Sequence, residues 1–250
     1  MTPGKKVYFL SDFHLGIPNH RDSVAREKRI VRFLSSIQEE AEAIFFLGDL
    51  FDFWFEWKHV VPKGHVRLLG KMAELADQGV SLHVFTGNHD LWMFGYLEKE
   101  LDIPVYKKHQ RFTFGDKQFL IGHGDGLGPG DKGFKRLKKL FTNPLAQWAF
   151  ARLHPNLAIK IANYWSQHSR LIDGGSIPDY LGEDKEWLVQ YCKKKRETEA
   201  IDYFIFGHRH LPLEVQVGPD SWYINTGDWL QYDSYAVFDG HTLRLDYYNQ

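Results

Sequence analysis

The chain of 250 residues has one cysteine, Cys192, so no intramolecular disulfide staples it and a reducing compartment is expected. It has no long apolar run. The longest segments free of Asp, Glu, Lys and Arg are 12 residues, Leu140 to Ala151 and Gln78 to His89, against the roughly 20 that a membrane-spanning helix needs. The opening residues MTPGKK lack the apolar stretch of a signal peptide, and a cytoplasmic protein is expected. Neither sign of charge is in excess. With 31 Lys and Arg against 32 Asp and Glu the net charge is −1, too balanced for a whole-molecule polyanion binder, so no nucleic-acid partner is expected. Repeats and low-complexity tracts are missing as well. What is there, 43% apolar and 25% charged residues, describes a globular chain expected to form a single domain over 1–250. Oligomeric state is left open.

Apolar runs alternate with amphipathic stretches from Lys5 almost to the end, the rhythm of an α/β protein. Strands are expected at Val7 to Leu10, Ile44 to Leu47, Leu82 to Phe85, Phe119 to Ile121 and Tyr203 to Phe206, all short and apolar enough to be buried. Apolar positions near a 3.6-residue period predict helices over Asp22 to Gln38 and Lys63 to Ala76. In the last 40 residues, four short runs separated by Gly, Pro and Asp predict antiparallel strands joined by turns.

Residues 131–173 break the rhythm. Between Asp131 and Asp173 lie eight Lys or Arg and no acidic residue, which leaves 23 basic against 32 acidic residues elsewhere. Asn143-Pro144 and His154-Pro155 are helix-start pairs, so the segment reads as a basic helical insertion. Its aromatic and aliphatic residues (Phe134, Leu137, Leu140, Phe141, Trp148, Phe150, Trp165) suit an anionic membrane surface or a fold over acyl chains. Five aromatics within seven residues (Phe51, Phe53, Trp54, Phe55, Trp57) are expected to line part of the same apolar chamber.

The chemistry is written where the strands end. The five strand candidates are followed by Ser11-Asp12-Phe13-His14, Gly48-Asp49, Gly87-Asn88-His89-Asp90, Gly122-His123-Gly124-Asp125 and Gly207-His208-Arg209-His210. In an open α/β sheet the carboxyl ends of strands line the ligand crevice, so residues far apart in sequence converge there. One such block is common by chance; five in the same context, carrying charges that are costly to bury unpaired, call for cations. The remaining histidines belong to no block and keep an ordinary structural reading. Two carboxylates (Asp12, Asp49), four imidazoles (His14, His123, His208, His210) and one amide (Asn88) are too many for one four-coordinate zinc. They suit two cations bridged by a carboxylate, for which Asp49 is central. Oxygen and nitrogen ligands without thiolate fit Mn²⁺, Fe or Zn²⁺. Such a pair clamps a phosphoryl group for in-line attack by water, which points to hydrolysis of a phosphate ester or anhydride.

The ordered set Asp12-x-His14, Gly48-Asp49, Gly87-Asn88-His89-Asp90, Gly122-His123 and Gly207-His208-x-His210 resembles the calcineurin-like metallophosphoesterase superfamily. The resemblance implies a four-layer αββα sandwich of two mixed sheets. It implies one metal on Asp12, His14, Asp49 and His210, and a second on Asp49, Asn88, His123 and His208. It gives His89 a catalytic part at the leaving group, with Asp90 as its orienting partner. SDFHLG, GDLFDFW (48–54) and HGDGLGPGD (123–131) are most similar to the UDP-2,3-diacylglucosamine pyrophosphatase family of lipid A biosynthesis. That implies a manganese-dependent, peripheral enzyme of the inner membrane's cytoplasmic face, acting on a lipid-linked nucleotide under a lid formed by the insertion. Substrate contacts are then implied at Asn88, His89, Asp131, Ser166, Arg170 and His208. The proteobacterial members have arginine where this chain has His89, as the wider superfamily does. A soluble nucleotide, such as a cyclic nucleotide or a dinucleoside polyphosphate, is therefore the alternative substrate. A metal-free scaffold or nucleic-acid module is the contrasting class, and such scaffolds lose ligands that are all present here.

Overall fold

The computed structural model describes residues 1–129, 132–172 and 179–248, with the side chains of 132–134 and 167–172 outside the described set. In chain order the first elements are β1 (Lys6–Leu10), α1 (His20–Ile37), β2 (Ala41–Phe46), α2 (Val66–Asp77), β3 (Ser81–Phe85), α3 (Tyr96–Leu101), β4 (Val105–Tyr106), β5 (Gln110–Phe114) and β6 (Lys117–Ile121). Then follow α4 (Lys132–Phe141), α5 (Pro144–Ala151), α6 (Pro155–Ile172), α7 (Trp187–Arg196), β7 (Tyr203–Phe206), β8 (Pro212–Gly218), β9 (Ser221–Thr226), β10 (Ser234–Phe238) and β11 (Leu243–Tyr247). One sheet runs β11-β10-β1-β2-β3-β4 and the other β5-β6-β7-β9-β8, and each mixes parallel and antiparallel pairs.

Alternation along the strands decides the layers. Val7 and Phe9 of β1, with Ala43 and Phe45 of β2, point between the sheets, where they meet Phe119, Ile121, Ile205 and Ile224 of the second sheet. Tyr8, Leu10, Ile44 and Phe46 point the other way, onto Ile30, Phe33 and Leu34 of α1 and Leu68, Met72 and Leu75 of α2. On the far side Leu120, Phe204 and Phe206 pack against Leu188, Val189 and Cys192 of α7. The result is the expected αββα sandwich. Each fully buried Phe, Leu or Ile contributes about 1.5–3 kcal/mol, and a one-residue slip in β1 would turn its whole apolar set to the wrong layer.

The C-terminal strands correct one expectation. β8 with β9 and β10 with β11 are antiparallel as read, but β9 also lies parallel to β7, while β10 passes to the other sheet, antiparallel to β1. Turn signals set the hairpins; the sheet each hairpin joins is set by which apolar faces it covers. In the insertion, Asn143 accepts from the N–H groups of Leu145 and Ala146 and so caps α5. Among the described residues no helix is long and apolar enough to cross a membrane.

Candidate metal centre

β1, β2 and β3 are mutually parallel, as are β6, β7 and β9, so their carboxyl ends come to one rim where the two sheets meet. Hydrogen bonds stitch the strand-end loops across the gap. The His208 N–H donates to Asp12 Oδ2 at 2.9 Å, and His123 Nδ1 donates to the Leu47 carbonyl at 2.8 Å. Asp12, His14, Asp49, His208 and His210 all have φ between 42° and 68°. Left-handed backbone at non-glycine residues costs of order 1–3 kcal/mol each and persists only where the surroundings over-determine it. Five of the seven candidate ligands are held this way. Glycine is needed where the loops touch: a Cβ on Gly87 would lie 2.7 Å from Asp49 Cγ, and one on Gly207 2.5 Å from Asp12 Oδ2.

The donor atoms converge in groups. Asp12, His14 and His210 form one, and Asp49, His123 and His208 another. Asp49 Oδ2 lies between them, 3.6 Å from His14 Nε2 and 3.3 Å from His123 Nε2, while Asp49 Oδ1 accepts the His89 N–H at 2.8 Å. Asn88 Oδ1 joins the second group, 3.0 Å from His123 Nε2. A further triad, His14, Asp49 and His89, sits between the two.

These residues fit a pair of divalent cations. Three of the four imidazoles have Nδ1 turned toward an acceptor: His14 toward Asp52 Oδ1 at 3.3 Å, His210 toward Asp228 Oδ2 at 3.1 Å, and His123 toward Leu47 O. That fixes the tautomer and presents Nε2 as a ligand atom. The Nε2 atoms of His14 and His210 then face each other at 3.2 Å and face Asp12 Oδ1 at 3.8 and 3.4 Å. Asp12 Oδ1 is buried without a hydrogen-bond partner. A buried carboxylate oxygen without a hydrogen bond needs a positive charge beside it, a proton on the imidazole in the metal-free chain or a cation in its place. Burial opposes charge on His14 and His123, but the carboxylates of Asp12, Asp52 and Asp49 around the one, and of Asp49 and Asp12 around the other, outweigh it and push both up to about 10. His208 is pushed down to about 4 by burial and by neighbouring His123, which leaves it neutral as a ligand.

His89 lies beside this group. Burial lowers it from its ordinary value despite the Asp49 carboxylate, and its Nδ1 donates to the Asp52 carbonyl at 3.0 Å. Asp90 takes a different place from the one read in the sequence. Its carboxylate accepts the N–H groups of Gly87 at 2.7 Å, Leu50 at 2.8 Å and Asp49 at 3.3 Å, knitting the second and third loops together. Burial and the Asp49 charge push it up to about 7. The carboxylate facing His89 is Asp52, with Oδ1 3.6 Å from Nδ1. Ser166, from α6, reaches the rim: its Oγ donates to Asp52 Oδ2 at 2.9 Å and lies 3.4 Å from His89 Nδ1. Asp131 and the Arg170 side chain lie outside the described residues.

Asp52 and Asp228 went unread in the sequence. For Asp228 the signal is present, since β9 is followed by Gly227-Asp228, the same strand-glycine-carboxylate pattern as Gly48-Asp49. The aromatic run 51–57 divides. Phe51 and Trp54 stack at 4.4 Å inside the helix-side core, whereas Phe53 and Phe55 meet Phe150 of the insertion at 6.3 and 5.0 Å. Trp92 packs on Phe141 and Phe150 and donates its indole N–H to the Phe141 carbonyl.

The chain is 41% identical to the UDP-2,3-diacylglucosamine hydrolase of Porphyromonas gingivalis, over 96% of this chain and 97% of that protein. It is 29% identical to the enzyme of the same name from Edwardsiella ictaluri, over 82% of this chain and 75% of that one. A solved E. coli phosphoesterase, Yfce, shares 16% identity with a TM-score of 0.47, covering 95% of this chain and 90% of that one. Residues 5–212 match the calcineurin-like phosphoesterase family, and the chain belongs to it.

Proposed function

We propose that this metallophosphoesterase hydrolyses the pyrophosphate of UDP-2,3-diacylglucosamine to UMP and 2,3-diacylglucosamine 1-phosphate, using two divalent cations, Mn²⁺ first among them. The observation that carries the reading is Asp49 Oδ2, poised between His14 Nε2 and His123 Nε2 with a full donor group on either side. Support for the substrate comes from the Porphyromonas gingivalis relative.

Asp12, His14, Asp49 and His210 would hold one cation, and Asp49, Asn88, His123 and His208 the other. Bound there, the metals supply Lewis acidity toward the phosphoryl oxygens and a water of depressed pKa. The oxygen and nitrogen donors, without thiolate, suit Mn²⁺. The chain's own residues orient the substrate. Asn88 and His208 face the phosphoryl group, and His89, its Nδ1 committed to Asp52, offers Nε2 to the same group. The leaving group of a pyrophosphate is itself a phosphate anion and needs no proton transferred to it; with Nδ1–H committed to the Asp52 carbonyl, His89 would stabilise that anion as the imidazolium, donating a hydrogen bond from Nε2. Ser166, with Asp131 and Arg170, binds the substrate from the insertion.

The insertion contributes the lipid side. Leu140, Leu145, Trp148, Leu157 and Trp165 are all at least half exposed, on a segment that also carries eight Lys or Arg. That combination suits an anionic membrane surface and acyl chains. Incubation of the purified protein with Mn²⁺ and UDP-2,3-diacylglucosamine tests the reading: UMP release well above that from soluble phosphodiesters is expected. Failure on the lipid with rapid cleavage of soluble nucleotides would favour the reading that His89 suggests, a phosphoesterase of soluble nucleotides.

A further inference from the structure

Asp52 is 4% exposed, and it touches three parts of the centre at once. Oδ1 faces Nδ1 of His14, Oδ2 accepts the hydroxyl of Ser166, and its backbone carbonyl accepts from Nδ1 of His89. His14 and His89 follow β1 and β3, whereas Ser166 belongs to α6, 114 residues further along the chain. A carboxylate planted between an imidazole and a hydroxyl has its torsion set by both. With Ser166 in place, Oδ1 is held toward His14 and Nε2 of that ring is aimed into the donor group with Asp12 and His210. With Ser166 withdrawn, Oδ2 loses a charge-assisted hydrogen bond, and the hold of Asp52 on the His14 ring is weakened.

We infer that Asp52 is a positioning residue that couples the docking of α6 to cation binding at the Asp12–His14–His210 group, so that docking of the insertion helix and metal loading reinforce each other. This rests on the reading of those residues as a metal centre. Coupling between two binding equilibria is reciprocal: whatever factor Ser166 adds to cation affinity, the cation adds to docking of α6. His89 shares the same anchor, so the helix that covers the substrate also bears on the group at the leaving phosphate.

The test is titration of substrate-free protein with Mn²⁺, followed by electron paramagnetic resonance, for the wild type, Ser166→Ala, Ser166→Thr and Asp52→Asn. Amide hydrogen exchange over α6 is measured with and without the metal. Ser166→Ala is expected to weaken one of two Mn²⁺ sites about fivefold or more, Ser166→Thr to restore it, and Asp52→Asn to weaken the same site about 10–100-fold. Ser166→Ala should add nothing in the Asp52→Asn background. Mn²⁺ should slow exchange in α6 of the wild type and fail to do so in Ser166→Ala. Two Mn²⁺ bound with unchanged constants in Ser166→Ala, together with a raised KM, would make Ser166 a substrate contact only and overturn the inference while leaving the metal centre standing. No Mn²⁺ bound by the wild type would overturn the metal centre itself. If Asp52→Asn does not fold, the Ser166 pair and the exchange measurement decide alone.

Discussion

Gly87→Ala adds one methyl group at the closest approach between two ligand loops. The φ of Gly87 lies outside the left-handed region, so the backbone accepts alanine and the effect is one of space alone. The new Cβ would stand 2.7 Å from Asp49 Cγ and 2.5 Å from Asp49 N, with Oδ1 closer still. Carbon atoms in contact keep about 3.5–4.0 Å, so the Asp49 carboxylate must retreat by about 1 Å. Metal sites tolerate about 0.2 Å in ligand distance, and Asp49 Oδ2 serves both groups. Both cations should therefore weaken together, by about 10–100-fold, the usual cost of disturbing what orients a metal ligand. Overpacking of this kind costs about 1–3 kcal/mol, and for a chain of this length each kcal/mol lowers Tm by about 2–4 °C. The variant should fold, melt somewhat earlier and elute nearly free of metal. Metal content and Mn²⁺ titration alongside a melting curve check this. A folded Gly87→Ala that binds two Mn²⁺ with wild-type affinity would refute the shared-carboxylate geometry.

Asp228→Asn takes the charge off the acceptor that orients His210 and should cost about 10–100-fold in Mn²⁺ affinity, measured by the same titration. Metal uptake should also depend on pH with a definite sign. His14 and His123, both held at about 10 in the metal-free chain, must lose protons to bind, so affinity rises with pH through the neutral range. Calorimetry in buffers of different ionisation enthalpy should count about two protons released, and none released would contradict the assigned ligands. Gly70→Ala on the exposed face of α2, where an added Cβ meets nothing, should stabilise by about 0.5–1 kcal/mol and raise Tm without changing metal content. Replacing Leu145 and Trp148 with serine should loosen binding to vesicles rich in anionic lipid, and salt should weaken what binding the wild type shows. Equal binding by both proteins in a sedimentation assay would remove the insertion from that role.

The sequence is most legible where a residue's type and its neighbours settle the matter. Strands buried between layers read as short apolar runs, and each is followed by a glycine or serine and then candidate ligands, which is why the seven can be named from the sequence. β5 escaped, because its residues Gln110–Phe114 lie at a sheet edge and are mostly exposed or half-exposed. β4, of two residues, and α3, of six, were too short to show a period. Asp90 was read by adjacency to His89, yet neighbours in a tight loop point apart, and its carboxylate turned inward to the backbone of residues 49, 50 and 87. Asp52 sat unnoticed among aromatics, because its partners His14 and Ser166 are 38 and 114 residues away. What the chain does through pairs of distant residues is visible only once the strands have brought them together.

Anomalous diffraction at the manganese edge from crystals grown with Mn²⁺ measures the central claim directly. Two peaks about 3.5–4 Å apart, with the Asp49 carboxylate between them, are predicted. One cation held by His14, Asp49 and His89, or none at this rim, would contradict it.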